Sequence, residues 1–126
     1  MYELTKAAKA LSDETRLRIM NLILTRESCV CEVMQVLGIS QTRASRNLKI
    51  LYDAGFLSQR SDGLFTLYSL KASERFFSDL VAAVKKEMRG NPIARKDLER
   101  LARTRRGDIY GAGKSPAPAT YGLPEA

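Results

Sequence analysis

The hydrophobic period of this chain changes once, and that change limits the folds open to it. Up to Asp53 the apolar residues recur at helical spacing. After Gly55 they alternate, in Phe56-Leu57-Ser58-Gln59-Arg60 and again in Leu64-Phe65-Thr66-Leu67-Tyr68-Ser69-Leu70. Between these two runs stands Ser61-Asp62-Gly63, whose Asp-Gly step is a strong hairpin signal. A chain that runs through helices, then one hairpin, then helix again must bury a small sheet against a helical core. The order read here is α-α-α-α-β-β-α with a tail, an α+β but mainly helical architecture.

The helices follow from caps and spacing. The first spans Tyr2 to Leu11, with Leu4, Ala7, Ala8 and Leu11 in register. Ser12-Asp13 offers an N-cap to a second helix that runs to about Leu24, with Glu14 favourable in its first turn. Ser28 is placed to cap a third, whose Val30, Val33, Met34 and Leu37 face a core and which Gly38 stops. Ser40 caps a fourth, Gln41 to Asp53, with Ala44, Leu48 and Leu51 inward. A fifth, about Ser73 to Arg89, carries Phe76, Phe77, Leu80, Val81 and Val84 before Asn91-Pro92 breaks the pattern. A further basic helix is expected from Ile93 to Arg106, then a Gly/Pro/Ala-rich disordered end from Gly107 to Ala126. The division is therefore residues 1–90, one folded domain, and 91–126, a basic helical extension and tail.

Charge and composition narrow the function. The formal net charge is +7, split +4 up to Gly90 and +3 beyond it, which suits a polyanionic partner. Histidine is absent, removing imidazole general-base chemistry and the commonest zinc ligand together. No 18-residue apolar run is present to span a membrane, and the start lacks a secretory layout. A cytoplasmic protein with reduced thiols is expected, and with it no structural disulfide.

The third and fourth helices, joined by Gly38-Ile39-Ser40, make a helix-turn-helix. Ser40, Gln41, Thr42, Arg43, Ser45, Arg46 and Lys49 lie on surfaces that the core does not need. The polar start of such a helix is what meets base edges in the major groove. Arg43 suits guanine, Gln41 suits adenine, and the first backbone amides suit a phosphate. A solvated helix face explains the same residues less economically, because the hairpin that follows completes a winged-helix layout. Arg60 is then expected near the wing tip, within reach of phosphate or the minor groove.

Longer stretches carry a resemblance. Ala10-Leu11-Ser12-Asp13-Glu14-Thr15-Arg16-Leu17-Arg18-Ile19 resembles the A-L-A-D-x-T-R-x-x-I opening of the ArsR/SmtB family of winged-helix repressors. Ser40-Gln41-Thr42-Arg43-Ala44-Ser45-Arg46-Asn47-Leu48-Lys49-Ile50-Leu51 is similar to that family's S-Q-x-x-[VI]-S-x-H-L-x-x-L recognition helix, with Asn47 in place of the histidine. Ala54-Gly55-Phe56-Leu57 and Leu67-Tyr68-Ser69-Leu70 match the segments that follow. The resemblance implies a homodimer, with the first and fifth helices at its interface, that binds a partly palindromic operator and leaves it when an effector binds.

Glu27-Ser28-Cys29-Val30-Cys31-Glu32-Val33 resembles the E-L-C-V-C-D-L segment of the arsenic-responsive branch. That resemblance implies Cys29 and Cys31 as ligands for As(III), Sb(III) or methylated As(III). The family's third cysteine falls at Met34, read here as a core residue. Independently, soft thiolates suit soft metalloids, and a helix N-terminus stabilises the thiolate. Residues i and i+2 lie about 200° apart around a helix at ~100° per residue, so one centre takes both sulfurs only if the helix start is irregular. No cofactor is required.

Two other readings remain. The thiols can serve a redox-responsive repressor, against which the proximity of two cysteines inside one helix argues. A small thiol-dependent reductase is the reading from another class. It lacks histidine, a Cys-x-x-Cys motif in a βαβ setting and a phosphate-cradling glycine loop.

Overall fold

The computed structural model describes residues 1–71 and 75–104, with side chains from Phe77 onward in the second stretch. Helices α1 (Tyr2–Leu11) and α2 (Glu14–Thr25) lead into a two-residue strand, β1 (Ser28–Cys29). Helices α3 (Val30–Leu37) and α4 (Gln41–Asp53) follow, then the hairpin β2 (Leu57–Asp62) and β3 (Phe65–Leu70). Helices α5 (Arg75–Met88) and α6 (Pro92–Arg103) complete the described chain. The expected start of α5 at Ser73, the side chain of Phe76, and Arg105, Arg106 and the tail from Gly107 lie outside the described residues. None of the described helices is long and apolar enough to cross a membrane.

Side chains stand in for the missing backbone partners at most of these helix starts. Asp13 accepts from the Arg16 amide, and Ser40 from the Arg43 amide. Asn91 accepts from both Ile93 and Ala94, with Pro92 in the first turn, where its lack of an N–H costs nothing. Gly38 ends α3 in the left-handed region at φ 65°, a conformation that favours glycine. The expected cap of α3 is corrected. Cys29, not Ser28, is the N-cap, because the helix begins at Val30 and the Cys29 sulfur accepts the Glu32 amide.

That strand is the element the sequence did not announce. β1 pairs antiparallel with β3, Ser28 opposite Tyr68 and Cys29 opposite Leu67, so the sheet order is β1-β3-β2. The hairpin is tighter than expected, since Asp62 pairs with Phe65 and leaves only Gly63 and Leu64 to turn. The architecture is a winged helix-turn-helix, mostly helical with a three-stranded antiparallel sheet.

Apolar faces of α2, α3 and α4 close the core around fully buried Ile19, Met20, Leu22, Ile23, Leu48 and Leu51. Helix α5 docks where α4 meets β2. The Phe77 ring packs edge-on to Phe56, centroids 5.1 Å apart, and lies against the α-carbon of Gly55. Helix α6 returns across α2 and α3 and adds Ala94 and Leu101 to the buried set. Arg18 clamps it with two hydrogen bonds to Asp97, at 2.8 and 2.9 Å. Those bonds raise the Arg18 pKa above its ordinary value, against the opposing effect of burial.

Candidate functional site

Helix α4 carries an outward polar face that its core contacts leave open. Gln41, Thr42, Arg43, Arg46 and Lys49 are exposed, as is Ser40 at the cap, and Ser45 is half-buried. Ala44, Leu48 and Leu51 are buried on the opposite side, so α4 is held by its apolar stripe while the polar one faces solvent. Lys49 meets Asp53 at 3.0 Å in an exposed pair one turn apart, a contact worth little in water.

The orientation of α4 is set by a network. Arg16 donates through Nη1 to Asn47 Oδ1 at 2.9 Å and through Nε to the Ala10 carbonyl at 2.7 Å. Asn47 Nδ2 donates in turn to the Arg43 carbonyl at 3.0 Å. One guanidinium therefore joins the end of α1, the start of α2 and the middle of α4. Arg43 also reaches Thr15 Oγ1, at 3.2 Å. Asn47 is buried and acts as a brace for α4, a role that its place in a recognition-helix pattern does not reveal.

Arg60 is not at the wing tip. It pairs across from Leu67 within the hairpin, and its guanidinium makes two bonds to the Glu27 carboxylate, at 2.8 and 2.9 Å. These hydrogen bonds, with the Glu27 charge, raise the Arg60 pKa. The Arg60 side chain stays 55% exposed while Glu27 is buried, so the pair ties the hairpin to the segment leading into Cys29. Tyr68, on the neighbouring strand, has its phenol pKa raised, chiefly by burial.

The two cysteines lie under the same hairpin. Cys29 and Cys31 form a small buried cluster with Phe65 and Leu67 of β3, separate from the main core. The structure joins them in a disulfide, with α-carbons 5.2 Å apart. One expectation is corrected, that no disulfide forms, while the irregular helix start that bringing both sulfurs together requires is present. Cys29 precedes the helix in extended backbone, φ −89° and ψ 165°, so the i, i+2 angle of a regular helix does not apply.

Cys29 is a cap as well as a thiol residue. Its sulfur accepts the Glu32 amide at 3.3 Å, and its own amide donates to Glu32 Oε1 at 2.9 Å. This is a reciprocal capping box with sulfur in the usual place of a hydroxyl. The fully buried Glu32 is answered by Arg26 at 3.0 Å. The same Arg26 nitrogen donates to the carbonyls of Leu101 and Thr104 at the end of α6, at 2.9 and 2.8 Å. The thiol segment is thus wired to the wing through β1 and to α6 through Glu32 and Arg26. A cap followed three residues later by Glu32 was the available signal for this box. The partners Arg26 and Arg60 had none, being fixed by tertiary packing.

Met34 is half-buried against the main core, as expected. Among the described residues no group of three or more Cys, Asp or Glu is placed to hold a metal ion. Among those described residues, the sulfur pair has no third ligand of these types beside it.

Residues 13–59 match the family model described as bacterial regulatory protein, arsR family. An arsenical resistance operon repressor of Bacillus subtilis is 36% identical over 67 residues, 52% of this chain and 64% of that protein. An arsenic resistance transcriptional regulator of Pseudomonas putida is 44% identical over 64 residues, 49% of each. The chain therefore spans about half to two thirds of the length of these curated relatives. A homodimeric winged helix-turn-helix DNA-binding domain from Mycobacterium bovis, described as a possible ArsR-family regulator, superposes with a TM-score of 0.59 at 25% identity. It covers 71% of this chain and 82% of that one. Across α2, α3, α4 and the start of its wing, this chain is therefore similar to the helix-turn-helix of the arsR family of bacterial regulatory proteins.

Proposed function

We propose that this protein is a transcriptional repressor that binds operator DNA as a homodimer and leaves it when trivalent arsenic or antimony, or a methylated As(III), bonds to the reduced thiolates of Cys29 and Cys31. The observation that carries this reading is the placement of both sulfurs beneath the wing strand, at the start of the first helix of the DNA-reading pair. Gln41, Thr42, Arg43, Arg46 and Lys49 offer base and phosphate contacts in the major groove, with Ser40 and Ser45 beside them. Arg60 adds a backbone contact from the hairpin. Exposed Tyr2 and Leu4 on α1 supply apolar surface for a second copy, and pairing two half-sites multiplies a modest single-helix affinity. Names of the relatives, which are repressors and regulators of arsenic resistance, point the same way.

Burial supplies the coupling. Both sulfurs are almost fully covered, so a metalloid that bonds to both must part β1 from β3 or shift Phe65 and Leu67. In bonding, it displaces each thiol proton and two of its own hydroxyls leave as water, with a solvent ligand completing an inorganic centre. Taking the Cys29 sulfur also competes with the α3 cap. A coupling of about 1–3 kcal/mol changes DNA affinity roughly 5–150-fold.

The Cys29–Cys31 disulfide favours a second reading, a redox switch. Here a peroxide takes two electrons from the thiols, two protons leave, the S–S bond forms and the peroxide becomes water. A gel shift on the promoter beside the protein's own gene separates the two. Reduced protein releases DNA with arsenite under the metalloid reading. Peroxide alone releases it, with a two-dalton mass loss, under the redox reading. Arsenite release that persists in Cys29→Ser/Cys31→Ser removes the thiol pair from the metalloid reading, and peroxide release that persists there removes it from the redox one.

A further inference from the structure

Where α5 turns back into α6, three helices border a half-open cavity of about 230 Å³. Leu24 of α2, Met88 of α5 and Leu98 of α6 give it an apolar floor, and Lys85, Arg89 and Arg95 stand around it. Elsewhere the cations facing α6 are answered, Arg18 by Asp97 and Arg26 by Glu32. Around this cavity they are not: among the described residues no carboxylate forms an ion pair with Lys85, Arg89 or Arg95.

Helix polarity sharpens the contrast. Lys85 lies in the last turn of α5, where a cation is favourable, but Arg95 lies near the start of α6, whose first turn holds no acidic residue. Near a helix N-terminus a cation is unfavourable and an anion favourable. Three like charges from two helices thus line one apolar hollow, and among the described residues no carboxylate is paired with them.

We propose that this cavity binds a small amphipathic organic anion, a carboxylate with an apolar body. The carboxylate meets Lys85, Arg89 and Arg95, with Arg able to grip it bidentately. The apolar body covers Leu24, Met88 and Leu98. The cavity is smaller than the roughly 300–1,000 Å³ of drug-sized sites, so a body of about eight carbons is the fitting size. A nucleic-acid backbone has no use for the apolar floor. The bound anion would bridge α2, α5 and α6, apart from both the α4 face and the thiol pair, so this site stands whether or not the metalloid reading does.

Isothermal titration calorimetry of octanoate into the reduced full-length protein tests it, with thermal unfolding alongside. Octanoate is expected to bind saturably in the millimolar range or below and to raise the melting temperature. Acetate, which lacks the apolar body, and octanol, which lacks the charge, are expected to do neither. Lys85→Glu/Arg89→Glu changes side chains exposed in the single chain, and with fold and dimer verified by circular dichroism and size exclusion, octanoate binding should weaken about tenfold or more. Met88→Trp, which fills the floor, should weaken it likewise. Absence of saturable octanoate binding, equal binding of octanol, or unchanged affinity in Lys85→Glu/Arg89→Glu would each overturn the proposal.

Discussion

At Cys29 one sulfur has two uses, because it accepts the Glu32 amide that opens α3 and is also one member of the reactive pair. Serine retains an acceptor at this position, while alanine leaves the amide without one. Under reducing conditions Cys29→Ala should therefore lose about 1 kcal/mol of stability, the usual worth of an N-cap, and Cys29→Ser much less. Urea denaturation reads the difference, and equal losses would show that the capping bond contributes nothing. The sequence marked Cys29 and Cys31 but gave the cap to Ser28, whose hydroxyl has the stronger intrinsic preference. Nothing local to Ser28 and Cys29 shows that Tyr68 and Leu67 will pair with them from much further along the chain.

At the scale of elements, α4 was legible from end to end because its information is local: a serine cap, an apolar stripe and a terminating glycine. Its bracing by Arg16 and Asn47 was not, since side-chain bonds between helices leave no period in the sequence. The junction of α4 with the wing depends on Gly55. Its φ is +99°, and an added methyl carbon would sit 2.8 Å from the Phe77 ring. Gly55→Ala meets both left-handed strain and a clash, and should cost about 3 kcal/mol. Gly38→Ala, at φ +65° with nothing within 4 Å, meets strain alone and should cost about 1 kcal/mol. Chemical denaturation of the two variants checks the ordering. A Gly55 variant as mild as the Gly38 one would mean that α5 does not hold Phe77 against this turn. The hairpin was legible too, but the position of Arg60 on it was not. Its strand register and its hold on Glu27 keep it from the tip where the winged-helix layout placed it.

For the whole molecule, the main surprise is how far α6 belongs to the core. Sequence composition made residues 91–126 look like one basic extension, because Arg95, Lys96, Arg100 and Arg103 dominate the segment. The face that matters is the sparse one, with buried Ala94, Asp97 and Leu101 meeting α2 and α3. Deleting 91–126 should therefore destabilise the protein by several kcal/mol, since it strands Arg18 and opens the core. Deleting only 105–126 should leave the melting temperature unchanged. Differential scanning calorimetry distinguishes these, and equal stability of both truncations would contradict the clamp.

The wing, the α3 cap and α6 all meet at the buried sulfur pair, so the account stands or falls on chemistry there. The most direct measurement is operator affinity of the reduced protein by fluorescence anisotropy, with and without arsenite, beside Cys29→Ser/Cys31→Ser. The account predicts a loss of roughly 5–150-fold in the native protein and none in the variant, which should still bind the operator. Unchanged affinity in the native protein, or the same loss in the variant, would contradict it.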